Sequence, residues 1–196
     1  MKKIWFLIIL PVLFTGCAFT VSKTPLNYSY SGGAVSLPSS ANIEIAQFTD
    51  KRDVTDGRVI FQKMDGYGDI TSGAYEAEKP IVDIIRDSII NNFQGAGATV
   101  NSSAAKVRLE GELISNDFQV ITSLFGSGKE IGTITMKFRL LDSHTGQLLW
   151  QDTIFGKDSE QALWITTDLK LKMVKGSIDN LIYTLINDKS FQQQLK

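Results

Sequence analysis

The sequence predicts an α+β fold in which two main helices pack on one face of a mostly antiparallel sheet. Three patterns carry this prediction: a helical apolar face in residues 80–93, alternation of apolar and polar side chains in residues 133–140, and a second helical face near the carboxyl end. Apolar residues recur at three- and four-residue steps in helices and at every second position in half-buried strands. The element order of strand, helix, three or four strands and helix is typical of such a layered arrangement.

The first main helix is predicted to begin at Pro80, because a proline at the first helical position loses no backbone hydrogen bond there. Gly95 and Gly97 provide the stop. The apolar face of this helix comprises Ile81, Ile84, Ile85, Ile89 and Phe93. The last helix has the same spacing at Leu171, Val174, Ile178, Leu181, Ile182 and Leu185.

The main strands are predicted at residues 106–117, 133–140 and 148–155. Residues 142–146, with the sequence Asp-Ser-His-Thr-Gly, form the turn of a hairpin between the last two. A short strand around Ile43 and Ile45 ends near Asp50, and residues 59–61 are the only strand expected in the glycine-rich stretch 54–78.

Composition excludes several classes of function. The 196 residues suffice for one domain with a substantial core, and 20 Lys and Arg against 21 Asp and Glu do not favour a nucleic-acid partner. A single cysteine, Cys17, excludes a disulfide framework and a cysteine-based zinc site within this chain. A single histidine, His144, excludes a multi-histidine metal centre. We therefore expect no metal site and no cofactor.

The first sixteen residues have the pattern of an export signal. Lys2 and Lys3 precede an apolar run of eleven residues, 4–14, that is interrupted only by Pro11. This run is too short to cross a hydrocarbon core, which needs about 20 residues, but it matches the apolar region of a signal peptide. An ordinary secretory signal with an incidental cysteine is the alternative, although an unpaired thiol in an oxidising compartment is a liability.

Residues 13–17, Leu-Phe-Thr-Gly-Cys, resemble the lipobox of bacterial lipoproteins, with Phe14 where the pattern prefers Leu, Val or Ile. The resemblance implies that residues 1–16 are removed and that Cys17 carries lipid. Two or three acyl chains hold a protein on a membrane, since each buried methylene contributes about 0.8 kcal/mol. An aspartate after the cysteine signals inner-membrane retention in enterobacteria; Ala18 stands there, so the implied location is the periplasmic face of the outer membrane.

Residues 18–41 are rich in Ser, Gly, Thr and Pro and show no helical period. Such a composition is typical of extended linkers. We therefore expect a lipidated cysteine and flexible tether at residues 17–41, followed by a single periplasmic α+β domain at residues 42–196. The tether would let the domain stand off the lipid surface.

Two motifs suggest catalysis or phosphate binding only weakly. Asp142, Ser143 and His144 are the only candidates for a Ser/His/Asp arrangement, but they lie in a predicted turn, where such residues serve the backbone. The stretch Gly126-Ser127-Gly128-Lys129 lacks the first glycine of a P-loop and the hydroxyl residue after the lysine. We expect a turn and a hairpin loop, and no catalytic residues.

The densest charge cluster runs from Asp50 to Asp53 and includes Asp56 and Arg58. It has two interpretations: a binding patch for a polar ligand, or a solvated loop in which Asp50 and Arg52 pair with each other or with the backbone.

An apolar stretch, residues 120–125, lies where a long hairpin should turn. Leu124 and Phe125 at a loop tip would form a docking point for a partner or a membrane; alternatively, the loop folds back over the core. Trp150 and Trp164 are expected in the core or at its edge rather than as a ligand platform.

The layout of residues 43–195 resembles that of YajG-type bacterial lipoproteins. The resemblance rests on a strand ending Phe-Thr-Asp-Lys-Arg at residues 48–52, a helix followed by Gly-Ala-Thr-Val at 97–100, and a final helix ending Leu-Ile-Asn-Asp at 185–188. The layout is also similar to that of auxiliary lipoproteins of ABC-type transport systems. It implies an envelope lipoprotein without known catalytic residues, so that only Cys17 carries over as a site.

These observations predict a non-enzymatic, lipid-anchored binding or assembly module that presents a sheet face or the Leu124 loop to an envelope protein. An auxiliary subunit of a lipid or solute transport system is the alternative. A third hypothesis, an envelope hydrolase, would depend on His144.

Overall fold

The computed structural model describes residues 16–32, 36–38, 40–64, 67, 69–122, 128–162 and 166–196. These residues begin with a short 3₁₀-helix, Gly16–Phe19. The strands are β1 Val21–Lys23, β2 Asn42–Ile45, β3 Thr49–Asp50, β4 Val59–Met64, β5 Ile70–Glu76, β6 Thr99–Val100, β7 Val107–Thr122, β8 Gly128–Asp142 and β9 Leu148–Ala162. The α-helices are α1 Ile81–Gly95, α2 Thr167–Asn187 and α3 Lys189–Gln194.

The strands form two sheets. The larger sheet has the order β6-β2-β7-β8-β9, and β3 pairs with β7 beside β2. The long strands β7, β8 and β9 are antiparallel, whereas β2 runs parallel to β6 and β7. The smaller sheet has the order β1-β5-β4. With the two main helices packed on the larger sheet, this arrangement confirms the predicted α+β class.

Helix α1 begins at Ile81, one residue after the predicted start, because Pro80 has an extended backbone with ψ 138° and occupies the N-cap position. The predicted apolar face is buried, and Ile81, Ile85, Ile89 and Phe93 are all 0% exposed. Gly97 then redirects the chain towards β6 with φ +88°, a conformation that glycine adopts without strain.

The core lies between the inner face of the larger sheet and helices α1 and α2. Along β8 every second residue from Ile134 to Leu140 is fully buried, as the alternation predicts. Trp150 on β9 packs edge-on against Phe191 of α3, with ring centroids 5.1 Å apart. Its Nε1 donates a hydrogen bond of 2.9 Å to Ser190 Oγ. Trp150 is therefore a core residue, as predicted.

The three long strands extend beyond their predicted ends. The pairing of β7 with β8 continues until Thr122 lies opposite Gly128. Val120 and Ile121 are therefore strand residues rather than part of the turn. Leu124, Phe125 and Trp164 lie outside the described residues, so the docking role of Leu124 and Phe125 stays a prediction.

Strand β5 is not predicted by the sequence. Its residues Ile-Thr-Ser-Gly-Ala-Tyr-Glu place Thr71 and Gly73 at buried positions, so the strand has no apolar alternation. It pairs with β4 in antiparallel fashion and with β1 in parallel fashion.

The amino-terminal segment differs from the predicted free tether, because its described residues pack on the domain. β1 adds to the smaller sheet, and Leu26 and Leu37 enter the core with 0% and 8% exposure. The phenol of Tyr28 donates a hydrogen bond of 2.5 Å to Asp179 Oδ1 on α2. The segment is extended, as its composition indicates, but isolated side chains and one strand pairing hold it against the domain.

Candidate functional site

The charge cluster that begins at Asp50 contains a structural ion pair rather than an open ligand site. Arg52 lies only 4% exposed, and its Nε and Nη2 reach both carboxylate oxygens of Asp50 at 2.6–3.2 Å. The same guanidinium donates to the carbonyls of Val59 at 2.7 Å and Gly57 at 3.0 Å. Arg52 thereby fixes the loop that leads into β4. The expected pairing of Asp50 with Arg52 and of Arg52 with the backbone is confirmed, but the arginine is buried and not solvated.

In the turn at residues 142–146 the carboxylate of Asp142 binds backbone N–H groups, as predicted. Its Oδ1 accepts hydrogen bonds from the backbone N–H groups of His144, at 2.9 Å, and Thr145, at 2.7 Å. The bonds from Thr145 and His144 lower the pKa of Asp142 below its ordinary value. His144 is exposed, and among the described residues the buried Ser143 hydroxyl has no hydrogen-bond partner. These contacts are those of a turn.

Cys17 lies in the 3₁₀-helix Gly16–Phe19 at the start of the described chain. Among the described residues, no group of three or more His, Cys, Asp or Glu side chains is placed to hold a metal ion. Within the same residues, no helix is long and apolar enough to span a membrane.

The larger sheet presents a charged surface on the side opposite the core. We call this surface the outer sheet face and define it by Glu44 on β2, Arg108, Glu110 and Glu112 on β7, and Arg139 on β8. Arg139 Nη2 lies 2.9 Å from Glu110 Oε2 and 3.9 Å from Glu112 Oε1. Arg108 Nε lies 3.7 Å from Glu110 and 3.8 Å from Glu44. All five side chains are 26–46% exposed, so the ion pairs face solvent.

A polar cleft of about 720 Å³ adjoins this face and shares Glu44 and Arg108 with it. Its other walls include Arg86, Asn101 and His144. Two walls are held firmly. Arg86 Nε donates to the carbonyl of Ala46 at 2.8 Å, and Asn101, with φ +56°, accepts from the backbone N–H of Ile45 at 2.7 Å. The end of β2 thus carries a preformed polar recess.

A second cleft, of about 450 Å³, lies between the amino-terminal segment and α1. Tyr28, Lys79, Asp87 and Asn92 are among its lining residues. Burial raises the pKa of Tyr28, and the neighbouring Asp179 carboxylate raises it further, so this phenol stays protonated and acts as a donor. Polar groups and apolar surface line this cleft in equal parts.

No protein-family model matches the chain, and no curated protein matches its sequence. Among solved structures, protein XCC0632 from Xanthomonas campestris, described with the family model DUF330, superposes with a TM-score of 0.61 at 14% identity. The match covers 89% of this chain and 97% of that one. The two proteins share a fold.

Two further solved structures superpose less well on this chain. They are lipoprotein GNA1162 from Neisseria meningitidis, with TM-score 0.37 and 14% identity over 74% of this chain and 99% of that one, and a minor lipoprotein from Acinetobacter baumannii, with TM-score 0.44 and 9% identity over 80% and 95%.

The outer sheet face is only partly visible in the sequence. The alternation of Arg108, Glu110 and Glu112 with apolar residues indicates a wet strand face. The alternation does not show the register of the strands, which places Arg139 opposite Glu110 and Arg108 beside Glu44. The side chains of the cleft come from distant parts of the chain and share no motif.

Proposed function

We propose that this protein is a lipid-anchored envelope lipoprotein that acts as a non-enzymatic binding or assembly module. Cys17 is the anchor, the periplasmic face of the outer membrane is the location, and the outer sheet face with its adjoining cleft is the working surface. One observation supports the proposal: β2, β7 and β8 bury apolar side chains on one face, yet the opposite face carries charged side chains that are 26–46% exposed.

The chemistry of the outer sheet face suits a protein partner. Exposed ion pairs contribute about 1 kcal/mol or less to stability, so Arg108, Arg139 and their glutamates can exchange internal partners for external ones at little cost. Alternating charges on a flat sheet give directional recognition, because like charges on a wrong partner repel. A partner with a complementary row of charges is therefore expected.

The anchor is supported by the sequence around Cys17 and by the layout resemblance to YajG-type lipoproteins. Its test is the intact mass of the full-length protein recovered from membranes, with Cys17→Ala alongside. A mass that corresponds to a diacylated or triacylated chain starting at Cys17, found in the outer-membrane fraction, is the expected result. An unmodified, soluble wild-type product would contradict the anchor.

The alternative, an auxiliary subunit of a lipid or solute transport system, makes a different prediction. Storage of a lipid requires an apolar cavity, whereas the cleft beside the outer sheet face is lined mainly by polar groups, which suit a protein partner better. Phospholipid that co-purifies with the protein in stoichiometric amount would favour the transport subunit instead.

A photo-crosslinking amino acid at Thr153 tests the working surface. Thr153 is exposed on β9 opposite Lys137, so it shares the outer sheet face. Thr184, exposed on α2, is the matched control position. We expect a discrete crosslinked adduct in cells from position 153 and none from position 184.

Charge reversal then separates recognition from folding. Arg139→Glu should abolish the adduct from position 153, because it inverts the charge that a partner meets. The double variant Arg139→Glu with Glu110→Arg keeps the internal ion pair but still presents the wrong pattern, so it should lose the adduct too. An adduct that survives both changes would show that the charges of this face do not recognise the partner, and no adduct from the wild-type protein at position 153 would exclude this face as the working surface.

A further inference from the structure

The exposed apolar side chains of the described residues are unevenly distributed. Eight large apolar residues are exposed, and four of them belong to the smaller sheet or to the segments that enter it. These four are Phe19 at 58%, Val21 at 53%, Tyr67 at 95% and Ile70 at 64%. The other four are Ile114, Leu148, Phe155 and Tyr183, which are distributed over β7, β9 and α2.

The strand register places Cys17 beside this group. β1 runs parallel to β5 with Val21 opposite Ala74, so extending the pairing backwards brings Ala18 level with Thr71. The hydroxyl of Thr71 indeed donates a hydrogen bond of 2.5 Å to the carbonyl of Ala18. Cys17 precedes Ala18 just as Ile70 precedes Thr71, and the two therefore lie at the same end of the smaller sheet.

The residues that follow Cys17 pack directly against β5. A Cβ atom at position 73 would collide with the carbonyl oxygens of Ala18 and Thr20, so Gly73 makes this close approach possible. Lys63 on β4 adds hydrogen bonds from Nζ to Thr20 Oγ1 at 3.2 Å and to Ser22 Oγ at 2.8 Å. No free tether separates Cys17 from the domain.

A lipid on Cys17 therefore brings the sheet end to the bilayer. The four peptide links from Cys17 to Val21 span at most about 14 Å, while the polar layer on each side of a bilayer is about 6 Å thick. Phe19 and Ile70 are apolar, and tyrosine, which stands at position 67, is enriched at membrane interfaces because its ring is amphipathic.

We propose that Phe19, Tyr67 and Ile70 form a membrane-contacting end that rests on the bilayer in which the Cys17 lipid is inserted. The inference rests on the proposed lipid anchor and adds to it a fixed orientation. The smaller sheet joins β7 near Asn116, whose Nδ2 donates to the carbonyl of Ile60. Arg108 is eight residues from there, about 26 Å along the strand. Arg108 and its partner Glu44 therefore lie well away from the point where the smaller sheet meets β7.

Contact depth in lipid vesicles tests this orientation. The full-length lipidated protein is reconstituted in phosphatidylcholine vesicles that contain doxyl spin-labelled lipid. Because Cys17 is acylated, Ile70→Cys gives a single free thiol for an environment-sensitive fluorophore. Leu148→Cys is the matched control, since it is 46% exposed and lies opposite Leu141 at the far end of the long strands. We expect quenching about threefold stronger at position 70 than at position 148.

A second measurement distinguishes membrane contact by these three side chains from mere proximity to the Cys17 lipid. A fluorophore on Ser72→Cys, an exposed β5 position, is measured with and without the triple change Phe19→Ser, Tyr67→Ser and Ile70→Ser. The triple change should reduce quenching at least about twofold, since it removes the apolar contact and keeps the lipid. The control Phe155→Ser should leave quenching unchanged.

The outcomes of this experiment are distinct. Equal quenching at positions 70 and 148, or no effect of the triple change, in protein whose mass includes the lipid would overturn the orientation and leave the anchor standing. A wild-type mass without lipid would overturn both. Strong quenching at position 70 that depends on the three side chains supports the membrane-contacting end.

Discussion

Two Asp-x-Arg pairs six residues apart have nearly the same geometry but different surroundings. In each, arginine Nη2 lies 2.6 Å from an aspartate oxygen, and Nε lies 2.9–3.2 Å from the carboxylate. The Asp50–Arg52 pair is 17% and 4% exposed, whereas the Asp56–Arg58 pair is 33% and 39% exposed. Only Arg52 also donates to two backbone carbonyls.

The difference shows that burial and additional acceptors, not the motif, decide what an ion pair contributes. At the exposed pair, solvent screens the charges and holds the contribution to stability small. At the buried pair, removal of the Arg52 side chain leaves the Asp50 carboxylate without a counter-ion and two backbone carbonyls without this donor. The same sequence pattern therefore produces a structural element in one place and a surface feature in the other.

The largest effect is expected for Arg52→Met, which should lower the free energy of unfolding by about 3 kcal/mol or more because it leaves a buried carboxylate unpaired. Arg52→Lys should recover only part of this loss, since an ammonium cannot reproduce the planar fork that serves three acceptors. Urea unfolding of each variant at neutral pH is the measurement.

Arg58→Met is the matched control and should cost clearly less than Arg52→Met, since it removes the exposed pair with Asp56 and a longer contact of 3.5 Å with Glu76. The hydrogen bond from Arg58 also lowers the pKa of Asp56 to about 2, so Arg58→Met should raise this pKa towards its ordinary value. Equal losses of stability for Arg52→Met and Arg58→Met would show that burial does not decide what these two ion pairs contribute.

Asp179 is a third carboxylate with close partners, and it holds a chain segment instead of a loop. Its oxygens accept from Tyr28 Oη at 2.5 Å and from Ser31 Oγ at 2.5 Å. Hydrogen bonds to charged groups contribute about 1.5–3 kcal/mol, so Asp179→Ala should cost about 2 kcal/mol in urea unfolding. It should also accelerate chymotrypsin cleavage after Tyr28 and Tyr30.

Tyr28→Phe separates the hydroxyl from the packing of the ring and should give a smaller loss than Asp179→Ala. If neither variant changes the cleavage rate, then the pairing of β1 with β5 and the burial of Leu26 and Leu37 hold the amino-terminal segment without Asp179.

Glu130 differs from both aspartates, because it is a buried carboxylate without an arginine. The residue is 1% exposed, and among the described residues neither of its oxygens has a hydrogen-bond partner. Burial raises the pKa of Glu130 above its ordinary value of 4.5, and only Lys170 opposes this. Since the folded state binds the proton more tightly, the stability contribution is complete below about pH 4.5 and is lost as the pH rises through the folded-state pKa.

Glu130→Gln should therefore raise the free energy of unfolding by about 1 kcal/mol at pH 7.5, with the gain disappearing near pH 4.5. Glu160 is the matched control: it lies opposite Glu130 on β9, is 33% exposed and pairs with Lys172. Glu160→Gln should give no gain at either pH. A Glu130→Gln protein that is less stable at pH 7.5 would show that this carboxylate has a stabilising partner.

Residues with a strong period could be placed from the sequence. Ile134 to Leu140 and the apolar face of α1 are buried as predicted, because their spacing matches the geometry of a strand and a helix. In the smaller sheet, the strand predicted at residues 59–61 is part of β4. Strand β5 could not be predicted, since Gly73 and Thr71 are covered by backbone rather than by apolar contacts. Leu26 and Leu37 are isolated apolar residues and have no period at all.

The candidate site was predictable to a similar degree. The polar side of residues 106–117 identifies Arg108, Glu110 and Glu112 as exposed, since that alternation is local. Their pairing depends on the parallel contact with β2 and on the irregularity between Leu113 and Ser115, which come from long-range packing. The buried state of Arg52 depends in the same way on β4, with which it shares no sequence pattern.

The smallest effect on stability is expected for Arg139→Gln. Arg139 is 42% exposed, and its contact with Glu110 is an ordinary surface ion pair, so unfolding in urea should change by about 0.5 kcal/mol or less. The same variant should weaken the crosslink from Thr153, because the charge that stabilises the fold so little is free to serve a partner. A large loss of stability would mean that the outer sheet face is part of the structural framework, like Arg52, whereas unchanged stability with a lost crosslink separates recognition from folding.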